Sequence, residues 1–228
     1  MLDGQIFQSA AQMQNFIYVI ADVCAREAVT VDCCWDVEGV RRVVDALRFE
    51  WKGNVVTHYH FDHVGGTPPP PFNAMGVDVP GVKTMVAGNV VPTVWVHPAD
   101  LDKAAGGSAD IRARLTPSPD GYRFKVGGVD VECLHTPGHT PGSQCVLADG
   151  THLFSGDTLF IGSCGRVDLP DSSPKQLFAS CAKLRALPSS TLVFPGHNYG
   201  GPRSTIAQET RAGVLGMDER SWRGMHGY

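Results

Sequence analysis

The sequence predicts an α/β fold, and three features of the chain support this. Short β-branched and apolar runs recur between polar stretches, as expected for buried strands. An amphipathic helical pattern lies between the second and third runs, which gives the strand–helix–strand order of an α/β architecture. His or Asp follows several of the runs at the point where each strand should end.

The apolar runs predict strands along most of the chain. In order, they cover residues 15–21, 28–31, 55–57, 94–97, 122–126, 129–135, 143–147, 151–155 and 191–194. Gly127-Gly128 and Asp149-Gly150 join two pairs of these runs, and both dipeptides suit the positive φ angles of tight hairpin turns.

Helices are predicted from apolar spacing and from capping residues. They cover residues 37–49, 98–105, 174–187 and about 203–213. Asp36 is a plausible N-cap of the first helix, and Gly53 is its expected stop. Ser173 is expected to cap the third helix, with Pro174 at its first position.

Residues 67–92 interrupt the pattern and are predicted to be a loop. Thr67 precedes four consecutive prolines, and Gly and Pro recur as far as Gly88. Long loops in compact domains are usually functional or disordered. Because this insertion begins four residues after His63, it could cover a site there as a lid. A passive surface insertion is the alternative.

The most informative segment is the hexapeptide His58-Tyr59-His60-Phe61-Asp62-His63, which follows a predicted strand. On an extended backbone, His58 and His60 point the same way, and the other two polar side chains follow where the chain turns. The segment therefore offers two nitrogen ligands to one metal ion, and an oxygen and a nitrogen ligand to a second. Imidazole and carboxylate suit Zn²⁺ and also iron or manganese. The alternative is a polar surface loop that is rich in His.

Three further polar residues follow predicted strands in the same way. They are His139, Asp157 and His197. Side chains at strand ends on one edge of an α/β sheet can converge on a common crevice. We therefore expect these residues to join the hexapeptide in one site.

Composition and charge exclude several classes of protein. The chain has 228 residues, 43% of them hydrophobic and 18% charged, which fits an ordinary globular protein and predicts a single domain over residues 1–228. The formal net charge is −4, and Lys and Arg are not clustered, so neither a nucleic-acid partner nor an anionic membrane is expected. The apolar run over residues 16–21 is too short to span a bilayer.

The cysteines and the N-terminus predict the cellular compartment. The chain has seven cysteines, an odd number, and no Cys-x-x-Cys motif, which favours a reducing compartment. Residues 1–11 lack the basic start and the apolar core of a signal peptide. We therefore expect a cytoplasmic protein, and an organelle is the alternative.

Four motifs resemble those of the metallo-β-lactamase superfamily of hydrolases, in the same order. They are His58-x-His60-x-Asp62-His63, Thr136-Pro137-Gly138-His139, Ser155-Gly156-Asp157-Thr158 and Pro195-Gly196-His197. The resemblance covers about residues 15–210. It implies an α/β (α+β) fold of the αββα type, a four-layer sandwich in which two mixed sheets lie face to face, with helices outside and metals at one sheet edge.

The same resemblance implies two divalent metal ions, with Zn²⁺ first and iron or manganese as alternatives. The implied ligands are His58, His60 and His139 for one ion, Asp62, His63 and His197 for the other, and Asp157 as a bridge. Asp62 and Asp157 would also act in catalysis, because they fix the metals and orient a metal-bound hydroxide.

Within the superfamily, the stretch from Gly156 to Phe160, followed by Gly162-x-Cys164-Gly165-Arg166, resembles glyoxalase II and its relatives. These enzymes hydrolyse S-acyl-glutathione thioesters, so the implied function is a binuclear metallohydrolase that cleaves such a thioester. The chain departs from them in one respect. Glyoxalase II carries a helical C-terminal domain that holds much of the glutathione, and 31 residues follow His197 here.

Persulfide dioxygenases, which use one Fe²⁺ and act on glutathione persulfide, are an alternative. They share the run over residues 136–142, the Cys-Gly-Arg-x-Asp stretch over residues 164–168, and a Tyr two places after the last His, here Tyr199. Another ester or lactone hydrolase and a non-enzymatic binding module are further alternatives. A true β-lactamase is disfavoured, because those enzymes carry Cys where this chain has Asp157.

Candidate substrate-binding residues are Arg166, Tyr199 and Arg203. The two arginines could clamp a substrate carboxylate, and structural or solvent-exposed arginines are the alternative. Cys164 could line the site, although an inert buried thiol is the default. We expect a small-molecule substrate that could be linked to glutathione, and the sequence is compatible with a homodimer.

Overall fold

Two β-sheets face each other in the computed structural model, which describes residues 4–70, 72–76 and 78–227. The first sheet contains, in spatial order, β1 (Tyr18–Asp22), β2 (Glu27–Val31), β3 (Glu50–Val55), β4 (Val94–Val96) and β5 (Thr116–Pro117). The second sheet contains, in spatial order, β11 (Ser204–Thr205), β10 (Leu192–Pro195), β9 (His152–Gly156), β8 (Gln144–Ala148), β7 (Val129–His135) and β6 (Tyr122–Val126). Both sheets are mixed, because β2 to β5 are parallel beside an antiparallel β1, and β9 and β10 are parallel beside antiparallel hairpins.

Helices pack on the outer faces of both sheets and beside the loops that connect the strands. In chain order they are α1 (Gly4–Met13), α2 (Val37–Ala46), α3 (Phe61–Val64), α4 (Val82–Ala87), α5 (Leu101–Ala104), α6 (Ala109–Arg112), α7 (Pro174–Arg185), α8 (Ile206–Ala212) and α9 (Glu219–His226). Short 3₁₀ helices lie at Phe72–Met75, Pro98–Asp100 and Val214–Gly216. No helix in the described ranges is both long and apolar enough to cross a membrane.

Apolar cores hold the layers together. The core between the sheets contains side chains from both, such as Val29 and Val55 from the first and Val131 and Val146 from the second. On the outer faces, one core joins the first sheet to α2 and α4, and another joins the second sheet to α7, α8 and α9. Burial of apolar side chains on both faces of both sheets produces the αββα sandwich. The predicted fold is therefore confirmed.

Five helices were not predicted from the sequence, namely α1, α3, α4, α6 and α9. In α9, Trp222 is completely buried, and its indole Nε1 donates a hydrogen bond to the carbonyl oxygen of Pro174 at 2.8 Å. The Asp218 side chain accepts a hydrogen bond from the backbone N–H of Ser221 and caps the helix. A short helix with one buried aromatic residue has too little apolar periodicity to stand out in a sequence.

The third strand lies earlier than predicted. The sequence favours a strand at 55–57 and a helix stop at Gly53, but Gly53 lies inside β3. A side chain at Gly53 would overlap the Trp95 ring and the Thr93 carbonyl oxygen, so a glycine is needed for the close pairing of β3 with β4. Glycine after a helical pattern is more often a stop, which explains the wrong boundary.

Residues 67–92 are not a loop throughout, because α4 lies in their second half. Val82 and Met85 are completely buried in the core that α4 shares with the first sheet. The prediction of a loop is therefore wrong for residues 82–87, and the lid remains an alternative for the rest of the insertion. Pro71 and Val77 of this segment lie outside the described residues, and the single domain over residues 1–228 stays a prediction.

We expect Met85→Ala to lower the free energy of unfolding by about 2–5 kcal/mol, because it removes a fully buried side chain and leaves a cavity. The matched control is Lys83→Ala in the same helix, whose side chain is 73% exposed and which should change stability by less than about 0.5 kcal/mol. Urea unfolding of both variants provides the measurement. Equal stabilities would mean that α4 contributes nothing to the core and that a loop describes this segment better.

Candidate metal centre

The predicted ligands lie together at one edge of the sandwich. β3 leads into the hexapeptide, whose second half forms α3, and the loop between β7 and β8 carries His139. Asp157 and His197 follow the parallel strands β9 and β10. These side chains are buried, except that His60 is partly exposed. The polar strand ends therefore converge as the alternation of strands and loops predicted.

One set of ligand atoms consists of three imidazole nitrogens. Nδ1 of His60 lies 3.1 Å from Nε2 of His58 and 2.9 Å from Nε2 of His139. One ligand atom from each of these residues lies within 4.8 Å of the others. Nitrogen atoms that face one another at this spacing can bind a single cation between them.

A second set contains two imidazoles and a carboxylate. Nε2 of His63 lies 3.2 Å from Nε2 of His197. Oδ2 of Asp62 lies 3.4 Å from each of these two nitrogens. The arrangement offers two nitrogens and one oxygen to a metal ion.

Asp157 lies between the two sets. Its Oδ1 is 3.4 Å from Nε2 of both His63 and His197, and its Oδ2 is 3.5 Å from Nε2 of His139. Oδ1 is buried and has no hydrogen-bond partner among the described residues. A buried carboxylate oxygen without a partner is costly unless a cation compensates it. The residues present therefore fit bound divalent cations.

Contacts on the far side of each ring fix which nitrogen faces the centre. Nδ1 of His139 donates to the backbone carbonyl oxygen of Arg166 at 2.8 Å, and Nδ1 of His197 donates to that of Met13 at 2.6 Å. A carbonyl oxygen only accepts hydrogen bonds, so these Nδ1 atoms carry the hydrogen. Nε2 is left with a free lone pair directed at the cluster, as a metal ligand requires.

Asp32 orients the ring of His63 in the same way. It is not among the site residues predicted from the sequence. It is 4% exposed, and its Oδ2 accepts from Nδ1 of His63 at 2.8 Å. Asp32 is held in turn by Thr57, whose backbone N–H and hydroxyl donate to its two oxygens at 2.7 and 2.6 Å. Asp32 directly follows β2. This is the same signal, a polar residue at a strand end, that identified the other ligands.

Asp100, also missed, fastens the hexapeptide to the loop that carries His139. Its Oδ2 accepts from the backbone N–H of Tyr59 at 3.2 Å and from the Thr140 hydroxyl at 2.7 Å. Its Oδ1 accepts from the backbone N–H of Gly142 at 2.7 Å. One buried carboxylate therefore links the two loops that form the three-nitrogen set.

Electrostatics separate the two sets. Burial, with a further contribution from His139, lowers the pKa of His60 to about 4. Burial would also lower the pKa of His63, but Asp62 and Asp157 raise it well above its usual value. Burial would raise the pKa of Asp62, but His63 lowers it to about 2. At neutral pH His60 therefore offers a free lone pair, and Asp62 is ionised.

The predicted substrate-binding residues differ in position. Tyr199 is 54% exposed and stacks on the ring of His197, with centroids 4.7 Å apart and planes at 10°. The Arg166 side chain is exposed and pairs with Asp168 at 2.9 Å. Arg203 is exposed, directly before β11. Tyr199 alone of the three has a side-chain contact with the cluster in the described part of the chain.

Cys164 is partly buried and packs against the core of the second sheet and its helices. Burial raises the pKa of its thiol to about 11. A thiol with this pKa is not ionised at neutral pH, as expected for an inert structural cysteine.

Comparisons with known proteins agree on the family. A sequence model described as the metallo-beta-lactamase superfamily matches residues 31–197. A hydroxyacylglutathione hydrolase of Alkalilimnicola ehrlichii is 35% identical over 195 residues, which are 86% of this chain and 66% of that protein. The chain thus spans just under two thirds of the length of this relative.

Solved structures show the same fold. The crystal structure of ETHE1 from Myxococcus xanthus superposes with a TM-score of 0.75 and 26% identity, over 95% of this chain and 87% of that one. The crystal structure of TTHA1623 in a di-iron-bound form gives a TM-score of 0.67 and 31% identity, over 89% and 96% of the two chains.

We expect Asp32→Asn to weaken metal binding at the set that contains His63 by about 10–100-fold, because the replacement removes the charge that orients the ring. The three-nitrogen set should be affected less, because Asp32 reaches His58 only through the Thr57 hydroxyl, which lies 3.1 Å from Nδ1 of His58. Titration of the metal-stripped protein with Zn²⁺, in competition with a chelator of known affinity, measures both sites. The control is Asp130→Asn, at a side chain that is 72% exposed. Unchanged affinity in Asp32→Asn would show that the contact is incidental.

Proposed function

The chain belongs to the metallo-beta-lactamase superfamily, and we propose that it is a metal-dependent hydrolase with a binuclear centre. The observation that carries the proposal is the buried Asp157, whose oxygens lie 3.4 Å from one ligand set and 3.5 Å from the other. A shared carboxylate between two sets of nitrogen donors is suited to two divalent ions and has no evident use without them.

The donor chemistry suits Zn²⁺ first, because imidazole and carboxylate are its ordinary ligands in enzymes. Iron is the alternative, and it is supported by the di-iron-bound form of TTHA1623, a protein 31% identical to this chain. Bound divalent ions would polarise a substrate carbonyl and lower the pKa of a water ligand to about 7. Asp62 and Asp157 would hold the ions, and Asp32 would fix the orientation of the His63 ring.

We propose that the substrate is a thioester of the S-acyl-glutathione type. The similarity to hydroxyacylglutathione hydrolases supports this. A second argument is the ionisation of the centre, since Asp62, whose pKa is about 2, holds no proton at neutral pH, and an imidazole that binds a metal is neutral. A thiol has a pKa of about 8.5 and leaves as a thiolate without protonation. An alkoxide or amide leaving group would need a general acid.

Side chains at the rim would hold the substrate. The exposed ring of Tyr199, stacked on His197, would contact a molecule bound at the centre. Arg166 and Arg203 are exposed cations on segments that follow Asp157 and His197. They remain candidate clamps for the carboxylates of a small substrate. To bind a substrate carboxylate, Arg166 would have to break its ion pair with Asp168.

A second candidate function is a mononuclear iron persulfide dioxygenase. One observation favours it. His58, His63 and Asp157 also lie close enough together to bind one ion. Two imidazoles and one carboxylate are the donor set typical of non-haem Fe(II) oxygenases.

Metal analysis and two assays on the same preparation separate the candidates. We expect about two metal equivalents, hydrolysis of S-lactoylglutathione with release of glutathione thiol, and no oxygen uptake with glutathione persulfide. His197→Ala should lose one equivalent and lower kcat/KM by at least about 100-fold, because it removes a ligand itself. His152→Ala, an exposed histidine outside the cluster, is the control and should match the unmodified protein.

Two results would count against the hydrolase. Full metal content and activity in His197→Ala would disprove the binuclear centre. One equivalent of iron, with oxygen uptake and no thiol release from the thioester, would establish the dioxygenase.

A further inference from the structure

Asn15 lies beside the centre, on the segment that connects α1 to β1. This segment is fastened to the loop that carries His197 by backbone hydrogen bonds. Phe16 N donates to Gly196 O at 2.8 Å, and Asn198 N donates to Gln14 O at 3.0 Å. Asn15 and His197 form an isolated antiparallel bridge. The backbone of Asn15 is therefore held in a defined position relative to the second ligand set.

The orientation of the Asn15 amide is fixed by Trp35. The indole Nε1 of Trp35 donates to Oδ1 of Asn15 at 3.2 Å. An indole N–H can only donate, so the atom facing it must be the amide oxygen. The amide nitrogen then points to the cluster, where Nδ2 donates to Oδ2 of Asp62 at 3.1 Å.

The oxygen that Asn15 contacts is the one that completes the second ligand set. Oδ2 of Asp62 lies 3.4 Å from Nε2 of both His63 and His197. A carboxylate can rotate about its last bond and exchange its oxygens, and a directed donor stops this rotation. Trp35 is itself immobilised, since it is 4% exposed and packs edge-on against Phe61 at 6.0 Å.

We propose that Asn15 is a positioning residue for the metal site formed by Asp62, His63 and His197, and that Trp35 acts on this site through Asn15. The chain of contacts runs from a buried indole through the amide to the ligand oxygen. The inference rests on the metal-binding role proposed for the cluster, but not on the identity of the substrate.

Binding of Zn²⁺ and the absorption spectrum of the Co²⁺-loaded protein test this without any measurement of activity. Asn15→Ala should weaken the second site by about 10–100-fold, leave the three-nitrogen site unchanged, and alter the Co²⁺ spectrum of the second site. Trp35→Phe, which keeps an aromatic ring but removes the donor, should weaken the same site less. The control is Gln12→Ala, an exposed amide on α1. Urea unfolding verifies that each variant is folded.

The double variant distinguishes positioning from a general loss of structure. If Trp35 acts through Asn15, Trp35→Phe should cause no further loss of Zn²⁺ affinity when Asn15 is already Ala. Additive losses would overturn the proposed chain of contacts, and so would a Zn²⁺ affinity and Co²⁺ spectrum in Asn15→Ala equal to those of the unmodified protein. Should Asn15→Ala fail to fold, an unchanged second site in Trp35→Phe would overturn the proposal. An unmodified protein that binds no metal would overturn this inference and the proposed centre together.

Discussion

The site depends on the burial of lone-pair atoms, imidazole nitrogens and a carboxylate oxygen, that face one another without a hydrogen-bond donor or a cation between them. Ring nitrogens lie 2.9 to 3.2 Å apart, and one oxygen of Asp157 is buried without a hydrogen bond in the described part of the molecule. Such an arrangement is unfavourable in a protein interior unless a cation occupies it. The fold makes it possible because the ends of β3, β9 and β10 are fixed by sheets whose apolar faces are buried on both sides.

Support for the ligands comes from distant parts of the chain and largely from the backbone. His197 is held by the carbonyl of Met13, and His139 by that of Arg166. The sequence makes the Arg166 side chain a candidate for substrate binding, whereas the peptide oxygen of Arg166 is the group that touches the centre. Because every residue type has a carbonyl oxygen, a backbone contact of this kind cannot be recognised from the sequence. The N-terminal segment is thus part of the site, although it supplies none of the predicted ligands.

The clustering of the candidate ligands could be predicted because four short segments carry them, and each segment follows a strand. The neighbours that orient them were harder to predict. Asp32 and Asn15 belong to no motif in the sequence. They contact the candidate ligands only because β2 and the α1–β1 segment pack beside α3. The resemblance to a known family predicted the fold, but two local sequence patterns were interpreted wrongly. In residues 67–92 the Pro and Gly content obscured the helical spacing of Val82 and Met85, and at Gly53 a requirement of sheet packing resembled a helix stop.

Protons and metal ions compete for the same lone pairs in a centre of this kind. His63 contacts the carboxylates of Asp32, Asp62 and Asp157 at 2.8, 3.4 and 3.4 Å, and these negative charges outweigh burial and raise its pKa. A raised pKa means that the surroundings favour a positive charge at this point, and a divalent ion supplies more of it than a proton does. At His60 burial dominates and the pKa falls to about 4, so no proton has to leave before a metal binds. The two sets would therefore attract metal for different reasons: the first offers free nitrogens, and the second an excess of negative charge.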